Sequence, residues 1–232
     1  MPAFCDNFNP FIKGEFLTIL LPAYNEEATL GELIDNIREY CPGCKILVVD
    51  NNSTDKTGRI ATSKGATTLN ELRQGKGHAV RTGIRFVETP YTIMMDADNT
   101  YPAFFIRPLL SYLIQGFDVA IGAREQKDSN SMSQANRIGN RVLTLEARIL
   151  YSHKVHDLCS GMWGFRTDVL KKFDLTSTGF TLEADFLVNA CKSDCSIISM
   201  PITYRARANG SQSSLHLKDG LKIGWFLLRR KL

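Results

Sequence analysis

The stretch Tyr91-Thr92-Ile93-Met94-Met95, followed at once by Asp96-Ala97-Asp98, decides how this chain is read. Its first five residues are apolar or β-branched and fit a short buried strand, which sets the two aspartates at a sheet edge. Carboxylates held that close repel unless a positive charge lies between them, usually a divalent cation. Magnesium in particular is commonly held by one or two carboxylates together with the oxygens of a substrate phosphate. Asp-x-Asp also occurs in surface turns, so the meaning of this pair rests on its surroundings.

Upstream, Leu17 to Leu21 reads as a strand and Asn25 to Tyr40 as a helix, with Leu30, Leu33, Ile34 and Ile37 on one face. Pro42-Gly43 breaks that helix, and Lys45 to Val49 forms the next strand, ending at Asp50. Ser53 or Thr54 is placed to cap a helix running to Lys64, and Gly75-Lys76-Gly77 opens another that ends near Glu88. Downstream of the aspartates come a helix from about Ala103 to Gln115 and a strand from Phe117 to Ile121. Alternating strands and helices with short connections predict an α/β fold, a mostly parallel sheet covered on both faces. Ligands of such sheets bind beyond the carboxyl ends of the strands. Pro22 to Glu26, Asp50 to Ser53, Asp96 to Asn99 and Gly122 to Arg124 all fall there, so separate loops converge on one rim.

After Arg124 the character changes. Glu125 to Ser133 is polar and reads as a mobile loop, followed by a helix from about Gln134 to Tyr151. An apolar, glycine-bearing segment, Ser160 to Phe165, precedes a helix near Leu182 to Lys192. Ile197 to Tyr204 reads as a strand interrupted at Pro201, hence an edge strand. Asn209 to Ser214 is a second polar, flexible stretch. Leu215 to Leu232 mixes Leu217, Leu221, Ile223, Trp225, Phe226 and Leu228 with basic residues. As a helix it suits the headgroup region of an anionic membrane, packs on its own domain, or marks a cut made ahead of a membrane segment.

The bulk numbers describe an ordinary folded chain of 232 residues, 44% hydrophobic and 22% charged, long enough to bury a substantial core. No linker divides it, so one domain is expected over 1–232: an extension to 16, a first half over 17–124, a second half over 125–214 and the basic tail. A net charge of +4 without a basic stripe interleaved with aromatics argues against a nucleic-acid partner. No apolar run reaches membrane-spanning length, and the first sixteen residues lack a signal-peptide layout, which makes a cytoplasmic location the default. Cys41-Pro42-Gly43-Cys44 has redox or zinc spacing but reads as a turn with two incidental thiols. The four histidines form no metal spacing. Lys76 is not part of a Walker loop, since the four-residue spacer and following hydroxyl are missing. It reads either as a plain helix start or as a donor-binding cation.

Taken together, Pro22-Ala23-Tyr24-Asn25-Glu26, Val48-Val49-Asp50 with Asn51 to Asp55, Gly75-Lys76-Gly77, Asp96-Ala97-Asp98 and Ile121 to Arg124 resemble family 2 glycosyltransferases with the GT-A fold. Asp157 to Gly161, Phe165-Arg166, Glu183 and Pro201 to Arg207 with Gly210 are similar, more narrowly, to the dolichyl- and polyprenyl-phosphate sugar synthases. The resemblance runs from Leu17 to about Ser214. It implies that Pro22, Ala23, Tyr24, Glu26, Val48, Asp50 and Asn52 hold the nucleoside of a GDP- or UDP-sugar. It implies that Asp96, Ala97 and Asp98 face the donor, with Asp98 the direct ligand of Mg²⁺ or Mn²⁺ and Asp96 nearer the ribose or bound through water. Arg124 and Arg207 are placed near the phosphates, where a guanidinium makes a good bidentate partner.

The activity that this resemblance implies is inverting transfer of a hexose to a polyprenyl-type phosphate at the cytosolic face of a membrane. A lipid phosphate is already anionic and needs little help from a base; a hydroxyl acceptor would need one, with Asp157 or Glu183 as candidates. The family tail Arg-x-x-Gly-x-Ser-Lys is here Arg207-Ala208-Asn209-Gly210-Ser211-Gln212-Ser213. Either Lys218 or another cation replaces the missing lysine, or donor and acceptor are handled differently. Two rivals are a sugar-nucleotide pyrophosphorylase and a non-catalytic nucleotide-sugar-binding or scaffold domain. The first is disfavoured because the loop after the first strand has neither glycine nor base.

Overall fold

Leu17–Ala23 (β1), Lys45–Asp50 (β2), Thr67–Asn70 (β3) and Tyr91–Met95 (β4) run parallel, β1 lying between β2 and β4. This computed structural model describes residues 16–125, 134–152, 155–206 and 217–231. Val119–Arg124 (β5), Met162–Arg166 (β6) and Ile197–Ile202 (β7) complete a seven-stranded sheet of order β3-β2-β1-β4-β6-β5-β7. β6 is antiparallel to both β4 and β5, whereas β5 and β7 are parallel. That reversal matters for the site. The beginning of β6, and the loop before it, lie at the same rim as the ends of the parallel strands.

Eight helices are described: Leu30–Tyr40 (α1), Thr57–Ser63 (α2), Lys76–Phe86 (α3), Ile106–Ile114 (α4), Gln134–Tyr151 (α5), Thr167–Leu170 (α6), Leu182–Lys192 (α7) and Leu217–Lys231 (α8). Strand side chains alternate between the two faces of the sheet. Leu20, Val49 and Met94 enter one core with residues of α3, α5, α7 and α8. Ile19, Leu21, Val48, Ile93 and Met95 enter a second core with α1 and α4. The predicted two-faced, mostly parallel α/β architecture is therefore present.

Several local expectations shift. The helix expected from Asn25 begins at Leu30, and the helix expected from Ser53 begins at Thr57. The reason lies between the two loops, which bond to each other instead of capping their own helices. The Asn25 N–H donates to Ser53 Oγ, Thr54 N–H to Asn25 Oδ1, and Glu27 N–H to Asp55 Oδ2. Strand β5 starts two residues later than expected and continues to Arg124, and β3 is an element that the sequence pattern does not announce. Pro201 lies opposite Ala123 on β7, the last strand in the order, where a missing N–H disturbs no further ladder. Cys41 and Cys44 are free thiols in their turn. Among the described residues no helix is long and apolar enough to cross a membrane. The two polar stretches expected to be mobile, Glu125 to Ser133 and Asn209 to Ser214, lie outside the described residues apart from Glu125.

Candidate active site

The rim is assembled by sheet register. Ala23 at the end of β1 stands beside Asp50 at the end of β2, and Asp50 beside Asn70 on β3. Asp50 Oδ1 accepts the Ser53 N–H at 3.0 Å, which holds the loop that carries Asn52, a residue with φ of 60°. Tyr24 is exposed, while the Glu26 N–H is fixed by Thr57 Oγ1 at 2.8 Å. Pro22 is half-buried. Ala23, Val48 and Ala97 are buried beneath this surface, and Val48 packs in the α1-side core. The Val48 side chain thus lies in the core beneath the loop that follows Asp50.

Asn51, which sequence reasoning passes over for Asn52, ties two loops together. Its Nδ2 donates to the carbonyls of Glu71 (3.1 Å) and Arg73 (2.7 Å), and its Oδ1 accepts the Gly75 N–H at 2.7 Å. This buried amide therefore sets where α3 begins. From the first residue of α3, the Lys76 ammonium lies 2.6 Å from Asp96 Oδ1 and 2.6 Å from Glu183 Oε1. Burial works against its charge, but the flanking Asp96 and Glu183 outweigh it and hold the ammonium above the ordinary lysine pKa. Lys76 is accordingly a charged element of the rim, not a plain helix start.

The segment ahead of α7 clamps that turn. Asp185 has no exposed surface, and its Oδ2 accepts the backbone N–H groups of Thr176 (2.6 Å) and Ser177 (2.8 Å). Asn189 and Arg230 donate to its other oxygen. The carbonyls of Ser177 and Thr178 are thereby pressed against Gly77 and Gly75. A Cβ on Gly77 would meet Ser177 O at 2.2 Å, and one on Gly75 would meet Thr178 O at 2.1 Å. Glycine is required at both positions by close backbone approach.

At the end of β4, Asp98 is buried and its Oδ1 accepts from the Thr100 N–H (3.1 Å) and hydroxyl (2.6 Å). Asp96 keeps 28% of its side chain exposed. Its N–H donates to Gly161 O, and its carboxylate lies where a Cβ on Gly161 would sit, 2.0 Å from Oδ2. The Gly161 N–H in turn donates to Tyr101 Oη at 2.5 Å. Gly161→Ala is expected to push Asp96 off this position. If Asp96 holds Mn²⁺, directly or through water, the affinity measured by titration is expected to drop by at least about tenfold, with little change in melting temperature.

Arg124, the last residue of β5, is clasped by Asp157 from the loop before β6. Nε donates to Oδ2 at 2.6 Å, Nη2 to Oδ1 at 2.8 Å and the backbone N–H to Oδ2 at 3.0 Å. Asn140 Nδ2 adds a fourth bond to the carboxylate, and the guanidinium lies 5.3 Å from the centre of the Tyr204 ring. With both oxygens engaged, Asp157 is arranged to orient Arg124 rather than to take a proton. Behind the pair, Arg124, Asn140, Arg141, Thr144, Arg148 and His156 surround a cavity of about 350 Å³. Arg207 and Ser213 lie outside the described residues.

Among the described residues no three His, Cys, Asp or Glu side chains gather into a metal cage. The donor set does fit a hard divalent cation that completes its shell with waters and substrate phosphates. It offers two oxygen ligands at one strand end, one of them already salt-bridged to a cation. The sequence marks Glu183 as a possible base and not as part of this set. Its bond to Lys76 spans 107 residues of sequence, a pairing no local pattern announces.

A switch-point rim with an Asp-x-Asp at its centre defines a GT-A transferase fold, and comparison with known proteins agrees. The family model described as "Glycosyl transferase family 2" matches residues 18–174, and the chain belongs to that family and is a glycosyltransferase. Among its relatives, "Glycosyltransferase AglJ" of Haloferax volcanii is 33% identical over 215 residues, covering 91% of this chain and 71% of that protein. "Dolichyl-phosphate hexose transferase" of the same organism is 32% identical over 193 residues, covering 83% of this chain and 84% of that protein. The fold is shared with glucosyl-3-phosphoglycerate synthase from Mycobacterium tuberculosis, solved with Mn²⁺, UDP-glucose and glycerol 3-phosphate. There the TM-score is 0.77 at 22% identity, covering 94% of this chain and 80% of that one.

Proposed function

We propose that this glycosyltransferase moves a hexose from a GDP- or UDP-sugar to a polyprenyl-type phosphate at the cytosolic face of a membrane, with Mg²⁺ or Mn²⁺ as cofactor. The observation that carries the reading is the cation-lined cavity continuous with Arg124, where Arg141 and Arg148 add positive charge on the acceptor side. Such a lining favours an acceptor that arrives already anionic. The relative named as a dolichyl-phosphate hexose transferase supports the same class.

In this reading the loops at Pro22 to Glu26 and Asp50 to Asn52 hold the nucleoside. Asp96 and Asp98 would hold the metal, which when bound stabilises charge developing on the leaving diphosphate, an effect worth several kcal/mol. Lys76, carried on a turn clamped by Ser177 and Thr178, supplies a fixed positive charge beside Asp96. Arg124, held rigid by Asp157, faces the phosphates on the acceptor side. A phosphate oxygen of the acceptor attacks the anomeric carbon as the bond to the nucleoside diphosphate breaks, inverting the anomeric centre. No proton needs to be removed, so catalysis is positioning and charge stabilisation.

A panel of radiolabelled sugar nucleotides incubated with a polyprenyl phosphate tests the reading. Label is expected in the organic phase for one donor, lost on chelation and restored by Mn²⁺ or Mg²⁺. Label found only on a hydroxyl acceptor would replace the lipid phosphate and make Glu183 the base. Release of pyrophosphate from a nucleoside triphosphate would point instead to a pyrophosphorylase. A metal-dependent melting shift with sugar nucleotides but no turnover would leave a binding domain.

A further inference from the structure

The outer side of the α5–α8 helix pair carries apolar surface that is exposed among the described residues. On α5, Ile138, Val142, Leu145 and Ile149 are each more than half exposed. At 3.6 residues per turn their spacing confines them to an arc of about 60°. The opposite side of the same helix, with Leu143, Ala147 and Tyr151, is buried in the core. α8 repeats the plan: Ile223 and Leu227 enter that core, while Leu221, Trp225 and Leu228 are exposed.

The two helices are locked side by side. A Cβ on Gly224 would meet Glu146 Oε2 at 2.9 Å, and Tyr151 Oη donates to Leu227 O at 2.9 Å. Because both helices bury one side in the same core, their exposed stripes point away from it together. Arg137, Arg141 and Arg148 flank the α5 stripe roughly a quarter turn round, on the side away from α8. Lys218, Lys222 and Arg229 flank the α8 stripe on the side away from α5 by the same geometry. The result is an apolar centre with cationic margins.

Charge names the occupant. These helices hold eight Lys and Arg residues against two acids, Glu146 and Asp219, so they carry more than the chain's whole net charge of +4. A second copy would bring the same positive margins into contact, which is unfavourable. An anionic bilayer meets both halves of the pattern, taking the apolar stripe at the acyl boundary and the cations at the headgroups. We infer that α5 and α8 together form one docking face for an anionic lipid surface. This deepens the lipid-acceptor reading and rests on it for its purpose: α5 also lines the Arg124 cavity, so docking would turn that cavity toward the membrane.

Co-sedimentation of the full chain with phosphatidylcholine vesicles, with and without phosphatidylglycerol, tests the inference. Trp225 emission serves as a second readout, since Trp163 is buried. Binding is expected only to the anionic vesicles, weakening with salt, with a blue shift of Trp225. Val142→Ser combined with Ile149→Ser changes exposed residues only, and is expected to weaken binding by about tenfold or more. Transfer to a detergent-dispersed polyprenyl phosphate should stay at the native level in that variant. Native-like vesicle binding by the variant would overturn the role of α5. A native chain left in the supernatant, or a dimer in light scattering that the variant dissolves, would overturn the membrane as occupant. Vesicle binding without any transfer to polyprenyl phosphate would uphold the face and remove only the acceptor reading.

Discussion

Asp98→Asn is expected to lower the catalytic efficiency of sugar transfer by about a thousandfold, equivalent to roughly 4 kcal/mol of transition-state stabilisation. Asp98 is buried, and one of its oxygens accepts two bonds from Thr100. An asparagine keeps that oxygen and those bonds while removing the charge, so the fold should survive and the loss should report on the metal. Transfer kinetics alongside Mn²⁺ titration would check this. Transfer at the native rate would sink the assignment of Asp98 as a ligand.

Asp157→Ala should have the largest effect on stability, a loss of about 3–5 kcal/mol. Arg124 and Asp157 are 10% and 3% exposed at their side chains, and the substitution leaves a buried guanidinium without its bidentate partner. Adding Arg124→Met should recover much of the loss, because the uncompensated charge goes with it. Denaturant unfolding of the single and double variants measures this. A single-variant loss below about 1 kcal/mol would mean that the pair behaves as a solvated surface bridge. Activity should not return in the double variant if Arg124 faces phosphate.

The helices most legible in the sequence are those with a sustained apolar period. The spans expected for Gln134 to Tyr151 and Leu182 to Lys192 coincide with α5 and α7. The starts of α1 and α2 are displaced because Asn25, Ser53 and Asp55 serve the neighbouring loop, a choice made by tertiary structure. Strand β3 escapes notice because it is four residues long and has no buried position. Four convergent loops can be read from strand order alone. The reversal of β6 cannot, since a buried apolar strand looks the same in either direction. Its consequence is that Asp157 and Gly161 share the rim with Asp96 and Arg124. The Lys76–Glu183 bridge and the Asp185 clamp are likewise hidden, because they join residues through packing that no periodicity encodes.

The antiparallel strand also orders events during synthesis. β4 and β5 are neighbours in sequence among the strands, yet neither pairs with the other, and the gap between them is filled only by β6. Until residues 162–166 have emerged, each of these two strands presents an unpaired edge in the middle of the finished sheet. The parallel block β3-β2-β1-β4 can assemble first from shorter-range contacts, whereas joining β5 and β7 to it waits for a distant segment. The strand that brings Asp157 and Gly161 to the rim is therefore also the keystone of folding. A chain that has not yet seated β6 has no active site to misuse and a single sheet still in two pieces.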